Sequence, residues 1–500
     1  MAGSDCMGES NLMIGNRSNE LSLKLVSAVL TVSLTLGTAA ALSGCQKYYR
    51  TLPTQHTHVT TDVLTKPGSP TEASPTPTPS PTPDPKKEAM KLAEYVGLTE
   101  EDLRGKYELF ERYSVAVSEN PNLEGYKAYV FHLFPVIADY LEPENEKFFF
   151  ERVKTLKIVE NHTDGVDGQY IREDNKIEIE PDLKELMGED LFSSVLYHEM
   201  MHFIDINING DVIDDVVAYM SDGTLRKYGD LDYAERGWVK EYIRTYFTEG
   251  GCEMFTAEYF TVSPNAYLMR VRFMVALKYI FGSDRINKMF FESDSDWQFV
   301  QLLVDAGFTT EEIVKFSHTM QETDIGIKDP KNSIDPREAL IRLYIKNIGP
   351  DYEKDSAFCF MLGSMNDDHF SKIDSEYKKF YSKLKGIEQM EVYQIWGFIT
   401  SETGDYETKW GFAGMPGPFY VNGELKVVAT SAPLEGDIKD YKTVIVDYNY
   451  ETKELSNFKL FDKWAPDLFD EKSIPVPDMV EPSETSTTDT SGTDGTTETT

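Results

Sequence analysis

Tyr197-His198-Glu199-Met200-Met201-His202 sets two imidazoles and a carboxylate in an H-E-x-x-H segment. On an α-helix, residues four apart share a face, so His198 and His202 can hold one zinc ion between them. Glu199, one step round, then faces the water in the metal's open position and can serve as its general base. Zinc lowers the pKa of such a water towards neutrality. The chemistry this predicts is metal-assisted hydrolysis. It needs a third ligand from elsewhere in the chain.

Two helices have to position these groups. For the first, Asp190 or Ser193 can cap the N-terminus, and Leu191, Val195, Leu196 and Ile204 supply an apolar stripe at helical spacing. Ahead of it, Leu156, Ile158 and the alternation Ile177-Glu178-Ile179-Glu180 read as strands, with Gly165, Gly168 and Asp174-Asn175 as turns. The strand directly before the helix is either a core strand or an edge on which an extended peptide can pair. The second helix carries Glu249-Gly250-Gly251-Cys252-Glu253. Glu249 and Glu253, four apart, project from one face. One can complete the metal site, and the other can accept the outward N–H of a ligating histidine and fix its tautomer. Spacing alone leaves open which does which, and Glu258 is a further candidate. Gly250-Gly251 is costly inside a helix and predicts a close backbone approach there.

His-Glu-x-x-His-x-x-Asp, met as His198 to Asp205, resembles the anthrax lethal factor-like zinc peptidases of the gluzincin type. So does Tyr-x-Arg-Thr-x-x-x-Glu-x-x-x-Glu-x-Phe, met as Tyr242, Arg244, Thr245, Glu249, Glu253 and Phe255. Secreted Pro-Pro endopeptidases of Gram-positive bacteria share this type of domain. The resemblance covers roughly residues 150 to 260, with Met201 where the family has glycine. It implies that His198, His202 and Glu249 bind one Zn2+ ion and that Glu199 is the base. It further implies that Tyr242 supplies a phenol to the oxyanion, with Glu253 and Asp205 supporting the ligands from behind. A metzincin arrangement is excluded, because that class needs Gly three and His or Asp six residues beyond the second histidine. Asp205 and Ile208 stand there instead.

The flanks carry no such chemistry. Lys24 precedes an apolar run from Leu25 to Leu42, which ends in Leu42-Ser43-Gly44-Cys45 and resembles a bacterial lipobox. The expectation is a signal peptide over 1–44, a lipid on Cys45, and a mature protein held on the extracellular face of a bacterial cell membrane. Residues 45–86 follow as a Thr/Pro-rich stalk; at roughly 3.1 Å per residue its polyproline stretch spans on the order of 100 Å. Residues 87–150 read as a helical lobe beginning near Thr99 and Asp102, in which His132 is structural. Residues 151–385 make the zincin-like catalytic part, with helical additions that include a capping box at Thr309 and Glu312 and a helix from Asp335-Pro336 to Gly349-Pro350. His318 and His369 are assigned surface or structural roles. Beyond Val392 the period turns to two, and Tyr420-Val421-Asn422-Gly423-Glu424-Leu425 carries a hairpin signal, so 386–476 reads as a β-rich appendage. The acidic Ser/Thr tail at 477–500 is predicted to be disordered. The fold class is therefore α+β: a small sheet with an edge strand, active-site helices, helical additions and a sheet-rich end.

Composition narrows the partners. A formal charge of −36 over 500 residues argues against nucleic acid and against an anionic membrane surface. Of four cysteines only Cys252 and Cys359 fall in the folded part, where they can pair or stay as small buried residues. The expected activity is zinc-dependent hydrolysis of a peptide or protein substrate. The competing expectation is a surface-binding lipoprotein that kept the scaffold without turnover; an intact Glu199 argues against it. The anchor is open to direct test. The wild type should incorporate fatty acid and partition into detergent, and Cys45→Ala should do neither. Equal labelling of both would refute the lipid.

Overall fold

The computed structural model describes residues 84–461, apart from 162–166, 182, 188, 211–215, 244, 246, 261–267, 324–325, 366–369, 382, 385–386, 388, 405–409, 413–415, 422 and 434–441. The signal segment, Cys45, nearly all of the stalk, His369, Arg244 and the acidic tail lie outside the described residues. The fold is mixed α+β, helix-rich with three small sheets among the described residues. No helix among these residues is long and apolar enough to cross a membrane.

Among the described residues, six α-helices come first, from Pro85–Val96 to Glu146–Thr155. Asp84 caps the first, Gly97 closes it at φ 81°, and Thr99 with Asp102 forms the expected capping box. Phe110, Tyr113, Phe134 and Phe149 are fully buried between these helices. His132 fastens them to the rest. Its Nε2–H donates to the Val96 carbonyl at 3.0 Å, and its Nδ1 accepts the Tyr197 hydroxyl at 2.9 Å. The residue is structural, as the sequence indicates.

The first sheet has the order β1-β3-β2, from β1 (Lys157–Glu160), β2 (Gly168–Ile171) and β3 (Lys176–Ile179). β1 runs parallel to β3 and β2 antiparallel to it. The strand directly before the histidine helix, β3, is thus the centre of the sheet and not its edge; the open edge near that helix belongs to β2. Sheet order is set by non-local pairing, which no local pattern in β3 discloses. The ladder also fixes what that edge presents. Asn175 and Ile179 give their carbonyls to Lys157 and Asn161 beside β1, whereas the Glu180 N–H returns to the Asp167 carbonyl beside β2. Odd residues of β3 therefore bond β1 and even ones bond β2. Gly168 and Tyr170, opposite Ile179 and Ile177, turn their backbone groups away from β3.

The histidine helix, Glu189–Asn207, packs under this sheet. Asp190 and Ser193 lie inside it and do not cap it; the chain turns helical earlier than the capping pattern suggests. Leu196 and Ile204 are fully buried, as their spacing requires. At its far end Asn207 accepts Arg152 at 2.9 Å and donates to the Tyr170 hydroxyl at 3.0 Å; Arg152 also donates to that hydroxyl and to the Arg172 carbonyl. This network locks β2 in register over the helix.

A second sheet, β5-β4-β6, is built from β4 (Val217–Met220), β5 (Leu225–Lys227) and β6 (Val239–Ile243). From β6 the chain passes Thr245, bonded to Asp296, into the glutamate helix Phe247–Phe260. That helix lies between the histidine helix and a backing pair, Leu268–Phe281 and Ser283–Phe290. Here the two glycines explain themselves. A Cβ on Gly250 would stand 2.9 Å from the Arg270 carbonyl oxygen, and one on Gly251 would stand 2.2 Å from the Phe290 ring.

The expected capping box at Thr309 and Glu312 and the Asp335 cap of Pro336–Asn347 are present. Alternation does not begin at Val392. Residues 389–403 form a helix whose Ile395, Phe398 and Ile399 bury against the last sheet. The β-branched and aromatic side chains there favour strands in isolation, but packing a helical face on the sheet overrides that preference. The sheet itself has β9 (Glu424–Pro433) flanked by β10 (Lys442–Asn449) and β11 (Glu454–Phe461) on one side and by β7 (Trp410–Phe412) and β8 (Gly417–Val421) on the other. The β8–β9 hairpin closes where predicted, with Gly423 at φ 75°. Phe419, Val421 and Ile445 join the main core.

Gly251→Ala is the substitution that tests the close approach. The methyl group has to displace the Phe290 ring, and overpacking of this kind costs about 1–3 kcal/mol. Chemical denaturation should show that loss, whereas an unchanged midpoint would mean that the helices have room.

Candidate metal centre

The two helices bring three ligand atoms to one point. His198 Nε2 and His202 Nε2 are 3.2 Å apart. Glu249 Oε2 lies 3.5 Å from the first and 3.6 Å from the second. A tetrahedral zinc with bonds of 2.0–2.1 Å separates its ligands by about 3.3 Å. The triangle fits. All three residues are buried, and this His-His-Glu group could hold a metal ion.

Unpartnered atoms argue for a cation there. Glu253 Oε2 sits 3.0 Å from His198 Nδ1, and a carboxylate can only accept, so the proton of His198 is on Nδ1 and its Nε2 faces His202 Nε2 as an acceptor. Glu249 Oε2 is buried without a hydrogen-bond partner. The two imidazole nitrogens and the Glu249 oxygen converge in a dry space, where a buried carboxylate without a counter-charge is costly. A single metal ion satisfies them together. Burial pushes the Glu249 carboxyl up, but the imidazoles of His202 and His198 outweigh it and hold the group well below the usual carboxylate range.

Glu199 is 4% exposed, and it accepts the backbone N–H of Tyr170 from the outward side of β2. Its other oxygen, Oε2, has no partner. Burial raises its pKa, with the neighbouring histidines pulling the other way and Glu249 adding to the rise. A buried carboxyl oxygen that accepts no hydrogen bond is suited to exchanging a proton with a water beside it. Gly168 makes the approach possible: a Cβ there would meet Val195 Cγ1 at 2.8 Å and Glu199 Cγ at 3.1 Å.

The structure thus brings together His198, Glu199, His202, Glu249 and Glu253, and it distinguishes the two glutamates that the spacing left equivalent. Glu258 is engaged elsewhere, paired with Lys278 at 2.7 Å. Asp205 lies three residues beyond His202 on the same helix, where its charge acts on Cys252. Tyr242 is not one of the three residues that converge on the candidate metal position. It is 37% exposed on β6, its ring edge-on to Tyr228 at a centroid distance of 5.5 Å. His318 pairs with Glu241 at the surface. Cys252 and Cys359 are not paired with each other. Two contributors escape the sequence reading: Tyr170, which reaches Glu199 through its backbone, and Cys252, whose Sγ is 3.3 Å from His202 Nδ1. The position of Cys252, three residues after Glu249, was the available signal for the second.

In comparisons with known proteins, no protein-family model matches this chain, and no curated protein or solved structure matches it significantly.

The division of labour between Glu249 and Glu253 is measurable. Glu249→Ala should remove metal from the purified protein, since it deletes a ligand. Glu253→Ala should weaken affinity by roughly ten- to a hundred-fold, because it releases only the outer nitrogen of His198. Zinc retained by Glu249→Ala and lost by Glu253→Ala would reverse the roles.

Proposed function

We propose that this chain is a zinc-dependent peptidase of the zincin type, held outside the cell by a lipid on Cys45. The observation that carries the reading is the convergence of His198, His202 and Glu249, with the unpartnered Glu199 oxygen beside them and the open edge of β2 above. The sequence resemblance to the lethal factor-like peptidases supports the same assignment of ligands and base.

When bound, zinc acidifies a water and polarises the scissile carbonyl. An extended peptide lies along β2, where the backbone N–H and carbonyl of Gly168 and the carbonyl of Tyr170, which point away from β3, are placed to pair with it. The Tyr170 N–H holds the Glu199 carboxylate in place. Glu199 takes the proton from the attacking water and hands it to the departing amine, so one carboxylate serves both halves of the hydrolysis. Tyr242 is assigned to the developing oxyanion through the resemblance.

Glu199→Gln separates catalysis from binding. The variant should fold and keep zinc, because Glu199 is not a ligand, yet peptide turnover should fall by about 10²–10⁴-fold. Tyr242→Phe should keep zinc as well and lose on the order of 10²–10³ in turnover. A zinc-loaded wild type that cleaves nothing in a broad peptide library would favour the binding lipoprotein, and cleavage indifferent to Glu199→Gln would place the active site elsewhere.

A further inference from the structure

The glutamate helix meets every nitrogen of both histidines. Glu249, Cys252 and Glu253 stand at positions i, i+3 and i+4, which form one face. Glu249 faces both Nε2 atoms, Glu253 takes His198 Nδ1 at 3.0 Å, and Cys252 Sγ lies 3.3 Å from His202 Nδ1. Cys252 is fully buried, and Gly251 beside it lets the Phe290 ring pack directly on the helix backbone. From this geometry we infer that Cys252 is a positioning residue of the metal centre, the outer partner that fixes the ring and tautomer of His202. The inference rests on the metal reading above.

With His202 Nε2 turned to the ligand point, the ring proton sits on Nδ1 and donates to sulfur, a weak acceptor. Burial pushes the Cys252 thiol up, against the pull of His202 and His198 and with the Asp205 charge adding to the rise. A thiol suits the site. Glu249, Glu253 and Glu199 are already crowded about the place of a divalent ion, and a fourth negative charge would add repulsion in a dry space. The outer support is therefore unequal: a carboxylate behind His198, a neutral thiol behind His202. Cys252 is no ligand itself, for its sulfur lies against the outward nitrogen.

The test uses the full-length protein, zinc affinity by chelator competition, and cobalt substitution. Cys252→Ala should weaken zinc binding by roughly ten- to a hundred-fold. Cys252→Ser, whose hydroxyl can still accept from Nδ1, should recover most of that loss. The cobalt-loaded wild type should show no thiolate-to-cobalt charge-transfer band. Equal affinity in wild type and Cys252→Ala would overturn the role, as would equal weakening in the Ala and Ser variants, which marks a packing loss alone. A charge-transfer band would overturn it too, by placing sulfur on the metal; this readout stands even if the Ala variant fails to fold. A wild type that takes up no zinc would overturn the metal centre and this role together, whereas the other failures leave the centre intact.

Discussion

A carboxylate that surrenders its water must find positive charge, and the centre of this molecule is arranged around one such group. Glu249 is buried against two imidazole nitrogens, with an oxygen that accepts no hydrogen bond. Its position depends on how closely one helix can be pushed against another. Gly250 and Gly251 remove the side chains that would hold the glutamate helix off its backing pair, so the face bearing Glu249, Cys252 and Glu253 can reach the histidines. The cost of glycine in a helix is offset where no other residue fits.

The same constraint explains why the flanking elements are so tightly tied. Arg152, Asn207 and Tyr170 bind the end of the histidine helix to β2, and β2 in turn holds Glu199 through a backbone N–H. Glu199 and the two histidines are thus carried by different faces of one helix, each face supported by its own neighbour. An error of an ångström in either would matter, because proton transfer and coordination both depend steeply on distance.

Much of this was legible in the chain, and the rest was hidden for identifiable reasons. Helical periodicity alone puts His198 and His202 together and puts Glu249 and Glu253 on one face. It could not say which glutamate points inward, since that depends on the rotation of the helix against its partner. Gly250-Gly251 announced a close approach without naming Phe290 as the cause. Whether the strand before the histidine helix is core or edge stayed open, because β3 is central only by virtue of pairing with β1, contributed by residues nearly twenty positions earlier. The 389–403 helix was hidden by Val392, Ile395 and Ile399, residues whose own preference is extended. Cys252 gave no signal as a lone cysteine; it acquires meaning only from the helical face it shares.

His132 carries a consequence for the leading helices. Through one ring it joins the Val96 carbonyl to the hydroxyl of Tyr197, the residue immediately before His198. Tyr129 packs its ring on Tyr197 from the same side. The leading helices are therefore part of the wall behind the first ligand and not a detachable prosegment. Trimming them away would leave a buried phenol without its acceptor and bare the aromatic surface around it.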